Sequence, residues 1–177
     1  MNKIKKISLS AMLAAFCMVA TLITLPLPIG SGYANLGDCF VFAAGFMLGM
    51  PWGIAAAGIG SVLADLLLGY AIYMPATAVI KALMAVAGAL CAKMVMGAGV
   101  SNIRRRVMIP VCSIIGEAVM VIGYFGYEYL AMGLGEAAFA SVLANCTQAV
   151  VGVVASVAVV TVFIKVPALS RIISTKK

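Results

Sequence analysis

The chain has 177 residues, 65% of them hydrophobic and only 10% charged, with a mean hydropathy of +1.20. A soluble domain is roughly half apolar and about a quarter charged, so these numbers describe one integral membrane domain, residues 1–177, with no room for a separate soluble one. The net charge of +7 belongs to membrane topology rather than nucleic acid, because no basic patch is interleaved with aromatic residues and basic residues collect in cytoplasmic loops.

The N-terminal stretch opens with Lys3, Lys5 and Lys6 and continues into an apolar run. That run is longer than the apolar core of a signal peptide and no small-residue cleavage site follows it, so it reads as a retained span, 7–25. Pro26 and Pro28 end it. The next residues, 29–37, are rich in glycine and small polar groups, as expected of a mobile loop able to close over a site. Span 2, 38–50, starts at Asp38 as N-cap, and span 3, 51–68, starts at Pro51, a favoured first helical residue. Both are short, and the tight Met50–Pro51 junction makes them an antiparallel hairpin. Gly45, Gly49 and Gly53, followed by Ala56 and Gly60, repeat every three or four residues, a spacing that lets helix backbones approach closely in lipid. Span 4 covers 75–96. A polar loop with Asn102 and three arginines, 104–106, leads to span 5, 107–130. Span 6 is 139–164, and the tail carries Lys165, Arg171, Lys176 and Lys177.

The expected fold is therefore an all-α membrane protein, a six-transmembrane-helix bundle. Its basic residues fall before span 1, around the loop between spans 4 and 5, and in the tail; Lys81 alone lies elsewhere. Asp38, Asp65, Glu128 and Glu136 fall at the opposite ends. The positive-inside rule then places both termini in the cytoplasm, N-in and C-in, in a multi-pass protein of the cell membrane.

Ionisable groups within spans are costly and mark a site by default. Lys81 falls in the outer part of span 4, Glu117 near the middle of span 5, and Asn145 and Gln148 in the outer half of span 6, on one face. Glu117, Met120, Tyr124 and Glu128 also share a face. These groups converge on a level open to the outside, as a site for a small polar ligand requires. Other roles compete: Asp65 and Lys81 as a structural ion pair, Asn145 and Gln148 as interhelical hydrogen bonds, and Tyr70, Tyr73, Tyr127 and Tyr129 as interfacial belt aromatics. The arginines set topology or meet a cytoplasmic partner. With no histidine in the chain, neither a zinc site nor a His-based nucleophilic triad is expected. The five cysteines, Cys17, Cys39, Cys91, Cys112 and Cys146, form no CxxC and read as small apolar side chains. A phosphate loop of the G-x-x-x-x-G-K type is absent, so uphill transport needs energy from another subunit.

The pattern resembles a known family, the substrate-binding S components of energy-coupling factor (ECF) vitamin transporters, in the group that holds riboflavin, hydroxymethylpyrimidine and pyridoxine carriers. The matching residues are Asn35-Leu-Gly-Asp38, Gly58-Ile-Gly-Ser-Val-Leu-Ala-Asp65, Tyr73-Met-Pro-Ala-Thr77 with Lys81, Gly116-Glu117, Met120 to Phe125, Tyr127-Glu128, and Asn145-Cys-Thr-Gln148. The resemblance implies a six-helix bundle that is not an enzyme and needs no cofactor. It implies a vitamin held in the outer half, a loop after span 1 that closes over it, and partnership with a long-helix transmembrane coupling subunit and two ATPase subunits. The bound subunit is thought to topple in the bilayer and release the vitamin inside. The expected substrate-binding residues are Asn35, Asp38, Tyr73, Lys81, Glu117, Tyr124, Asn145 and Gln148; Ala11 and Ala15 fit the family's small-xxx-small docking motif. One carboxylate and two amides suit pyridoxine or hydroxymethylpyrimidine, with the larger riboflavin ranked after them. A non-transport membrane scaffold is the rival class.

Overall fold

The helix at the centre of the structure is the shortest one. In the computed structural model, which describes residues 2–26, 33–97, 99–167 and 169, α2 (Gly37–Leu48) has 12 residues, and all of them except Phe40 are buried. Twelve residues reach only about 18 Å, too short for a ~30 Å hydrocarbon core. A helix apolar on every side has to be surrounded by protein or lipid, and here the surround is protein. It is formed by α1 (Lys3–Leu22), α3 (Trp52–Leu68), α4 (Met74–Val95), α5 (Asn102–Gly126) and α6 (Phe139–Lys165), all of which touch α2.

Small residues permit this packing. A Cβ on Gly45 would collide with the Ala85 carbonyl on α4, and one on Gly60 with the Ala14 carbonyl on α1. The spacing seen in the sequence is thus used twice, once at each side of the α2–α3 hairpin.

Four helical stretches are long and apolar enough to cross a membrane: Lys3–Leu22, Ala71–Val95, Asn102–Ala131 and Gly135–Lys165. The other two helices, α2 and α3, are shorter. The all-α membrane architecture expected from composition is present. The outward faces of the long helices carry exposed Ile4, Ile122, Leu130, Val150 and Val154, as a lipid-facing shell should.

Helix ends differ from the hydropathy boundaries where polar caps extend the helix beyond its apolar part. The Lys5 backbone N–H donates to Asn2 Oδ1 at 3.3 Å, starting α1 at Lys3. The Arg104 N–H donates to Ser101 Oγ at 3.2 Å, starting α5 at Asn102 rather than 107. At its other end α1 stops at Leu22, because Thr24–Pro26 (β1) pairs antiparallel with Tyr33–Asn35 (β2), Thr24 opposite Asn35. Part of the loop expected at 29–37 is therefore strand; residues 29–32 lie outside the described residues, as do Arg171, Lys176 and Lys177 of the tail.

Asp38 is not the N-cap of α2. Leu36 holds that position, the Gly37 N–H donates to Asn35 Oδ1 at 2.8 Å, and the Asp38 carboxylate turns inward to side-chain partners. Pro51 likewise precedes α3 instead of beginning it.

Candidate ligand-binding site

Three residues on α4, Tyr73 at its N-cap, then Thr77 and Lys81, recur every four positions and so stack on one face. Opposite them α5 and its π-helical extension (Tyr127–Ala131) supply Tyr124 and Glu128, and α6 supplies Ser141, Asn145 and Gln148. Ser61 and Asp65 enter from α3, Thr21 from α1 and Asn35 from β2. Together they line a cavity of about 510 Å³. It lies at the end of the bundle opposite Lys93, the three arginines at 104–106 and Lys165.

The cavity has three tiers. At its base, Lys81 pairs with Asp38 Oδ1, and Gln148 Nε2 donates to Asp38 Oδ2 at 2.7 Å. Asn35 Nδ2 in turn donates to Gln148 Oε1 at 3.4 Å. This chain joins β2, α2, α4 and α6, and each member is less than a tenth exposed. In the middle tier the Thr77 and Tyr124 hydroxyls are 2.9 Å apart, and Lys81 Nζ lies 5.6 Å from the centre of the Tyr124 ring. In the outer tier Glu128 accepts from Tyr73 OH at 3.1 Å and from Ser141 Oγ. The Tyr127 hydroxyl donates to the Ile72 carbonyl at 2.6 Å, tying the π-helical turn to the 3₁₀ turn Ala71–Tyr73. Tyr73 lies edge-on to both Tyr70 and Tyr124, with ring centres 6.3 Å apart in each pair.

The ion pair is not the one considered from sequence. Lys81 takes Asp38, and Asp65 at the cavity wall keeps Oδ2 without a hydrogen-bond partner among the described residues. The cause lies in the packing. Central α2 sits directly against α4, so Asp38 reaches the ammonium from 43 residues away.

Of the eight residues expected to bind substrate, six line the cavity: Asn35, Tyr73, Lys81, Tyr124, Asn145 and Gln148. Asp38 and Glu117 do not; they are 1% and 3% exposed and form the layer beneath. Glu117 packs against Gly152, where a Cβ would strike its carboxylate, and its Oε2 has no hydrogen-bond partner among the described residues. Asn145, by contrast, reaches the cavity with its amide unengaged by any described residue.

Sequence reasoning gave Thr77, Ser141 and Ser61 no role, and placed Glu128 on the converging face of span 5 without naming it among the substrate-binding residues. A usable signal existed for Ser61, which lies four residues before Asp65. Ser141 could not be found that way, since its importance comes only from Glu128 on another helix.

Chemically, the cavity offers one cation, Lys81, two wall carboxylates, Asp65 and Glu128, amide and hydroxyl groups, and the faces of Tyr70, Tyr73 and Tyr124. Such a set can hydrogen-bond the edge of a polar ring and stack on its face. Ala11 and Ala15 lie away from this cavity, exposed on the outer side of α1.

Two comparisons bear on this arrangement. A family profile described as "ECF-type riboflavin transporter, S component" matches residues 1–166. An uncharacterised protein of Pyrococcus woesei, described only by its position in a gap 3′ region, is 32% identical over 140 residues, covering 79% of this chain and 88% of the relative.

Proposed function

Since the chain belongs to the ECF-type riboflavin transporter S-component family, whose members are substrate-binding transport subunits and not enzymes, we propose that it captures a small water-soluble vitamin from outside the cell for ATP-driven uptake. The observation that carries this reading is the polar cavity of about 510 Å³ at the end of the bundle away from the basic residues. A transport subunit needs such an opening on the side from which substrate arrives. In this reading all six helices make up the membrane body, both termini are cytoplasmic, and the basic end faces inward. A long-helix coupling subunit and two ATPases supply the energy, and Ala11 and Ala15 on the exposed side of α1 form the docking strip.

The proposed ligand is a hydroxylated heteroaromatic ring of the pyridoxine or hydroxymethylpyrimidine kind. Asn145 and Gln148 read its polar edge, Lys81 donates to an electron-rich ring atom or hydroxyl oxygen, and Tyr73 or Tyr124 covers a face. Glu117 supports the base of the site from below and is reached by ligand only if the Lys81–Asp38 layer moves. Riboflavin is a second reading. Two observations favour it: the family description names it, and the cavity falls within the roughly 300–1,000 Å³ of pockets that enclose drug-sized ligands.

Thermal unfolding of the purified protein against pyridoxine, hydroxymethylpyrimidine, riboflavin and thiamine tests both. A true ligand at about 100 times its Kd adds about 2.7 kcal/mol to stability, and one member of the panel is expected to stand out by that amount. A panel with no shift at any concentration would remove the vitamin reading.

A further inference from the structure

A second cavity, of about 500 Å³, lies at the basic end between the start of α5 and the end of α6. Arg105, Arg106 and Lys165 stand at its rim, and Ile109, Pro110 and Val157 form an apolar floor. The vitamin reading assigns this cavity no task.

No acidic side chain pairs with the rim charges among the described residues. Of the five acids, Asp38, Asp65, Glu117 and Glu128 are buried elsewhere in the bundle, and Glu136 lies in the 3₁₀ turn before α6, at the opposite end of that helix. The ion pair between Lys81 and Asp38 is the sole one among the described residues. Arg105 is nonetheless held in place: its Nε donates to the Val95 carbonyl at 3.1 Å, at the last residue of α4. That bond leaves the rest of its guanidinium fork available beside the cavity. Arg106 and Lys165 are exposed.

The backbone adds an acceptor. Pro110 sits inside α5 and has no N–H, so the Arg106 carbonyl, four residues earlier, lacks its helical donor. The Arg106 carbonyl thus lies without its i+4 donor at a cleft lined by Arg105, Arg106 and Lys165 and by apolar Ile109, Pro110 and Val157. A water-soluble anion has no use for that floor, and a protein carboxylate has no use for its depth. An amphipathic anion uses both. Basic clefts between membrane helices suit anionic headgroups, and the arginine fork matches phosphate oxygens.

We propose that the α5–α6 cleft binds one anionic glycerophospholipid, its phosphate against Arg105, Arg106 and Lys165, its headgroup hydroxyl donating to the Arg106 carbonyl, and one acyl chain over Ile109 and Val157. The occupant is a lipid of the membrane that surrounds the protein, and the site is independent of the vitamin cavity.

Native mass spectrometry of the delipidated full chain, titrated with phosphatidylglycerol and with phosphatidylcholine of identical acyl chains, tests this. One phosphatidylglycerol is expected to bind in preference to phosphatidylcholine. The double variant Arg106→Gln/Lys165→Gln should lower that preference about 30-fold, from two lost cations near an anionic headgroup. The charge-matched control Lys3→Gln/Lys5→Gln should leave it intact. Thr161→Phe, which fills the cleft without removing a charge, should lower phosphatidylglycerol binding while the melting temperature stays within a few degrees. Equal binding of the two lipids would overturn the proposal, as would equal loss in the pocket and control variants. Displacement of phosphatidylglycerol by inorganic phosphate at similar concentration would also overturn it, marking a free-anion site. So would a pocket variant that binds lipid normally but fails to co-purify with transport partners, marking a protein contact.

Discussion

Lys81 on α4 pairs with Asp38 on α2, and Gln148 on α6 holds the second Asp38 oxygen at 2.7 Å. This one carboxylate therefore fastens the central short helix to two of the long ones at the base of the cavity. Removing one partner of a buried pair leaves an uncompensated charge and costs about 3–5 kcal/mol, whereas replacing both is far milder. Lys81→Met and Asp38→Asn should each lower the melting temperature sharply, and the double variant should be less destabilised than the sum of the two. Strict additivity in thermal melts would show that the pair carries no coupling energy.

Gly152 gives Glu117 its space. A Cβ there would run into Oε1 and sit 2.7 Å from Cδ. Gly152→Ala should destabilise by about 1–3 kcal/mol through overpacking and disturb the base of the site. In a Glu117→Ala background the same change should cost little, because the obstructing atoms are gone. An equal cost in both backgrounds, measured by denaturation, would place the constraint elsewhere.

Glu128 closes the outer tier by accepting from Tyr73 and Ser141. Hydrogen bonds to a charged group are worth about 1.5–3 kcal/mol. With Glu128→Ala, the rim should loosen and bound vitamin should leave about tenfold faster, with little change in the rate of association. Stopped-flow binding checks this, and an unchanged dissociation rate would exclude the outer tier as a restraint on the ligand.

Ala11 and Ala15, one helical turn apart, are exposed on α1. Ala11→Trp should abolish uptake by cells while the purified protein binds vitamin as before. Normal uptake would reject α1 as the docking surface for the energising subunits.

Much of the helical layout was legible along the chain. The apolar segments anticipated α3 and α6 to within a residue, because hydropathy reports the part of a helix that faces lipid or protein. It missed the starts of α1 and α5, where Asn2 and Ser101 extend helices into polar sequence. It also missed the β1–β2 pairing, which depends on contacts ten or so residues apart rather than on composition. Most of the candidate site was legible too. Residues such as Lys81, Asn145 and Gln148 stand out because a polar group in a span needs a reason. Ser141 and Thr77 did not stand out, since hydroxyls are common in membrane helices and only their partners Glu128 and Tyr124 give them a place.

Composition, hydropathy and charge distribution were sufficient by themselves to define a membrane helix bundle with one basic end and a set of polar residues reaching from its middle to the other end. Those are properties of segments, and a segment carries them whatever lies beside it. The pairing of polar groups was decided by the tertiary structure. Asp38 and Asp65 are equally good partners for Lys81 on paper, and Glu117 looks as available to a ligand as Gln148. The burial of α2 against α4 gave Lys81 to Asp38, left Asp65 at the wall, and set Glu117 beneath the cavity against Gly152. Such choices depend on how helices rotate and approach one another across 40 or more residues of chain, and no local pattern encodes that.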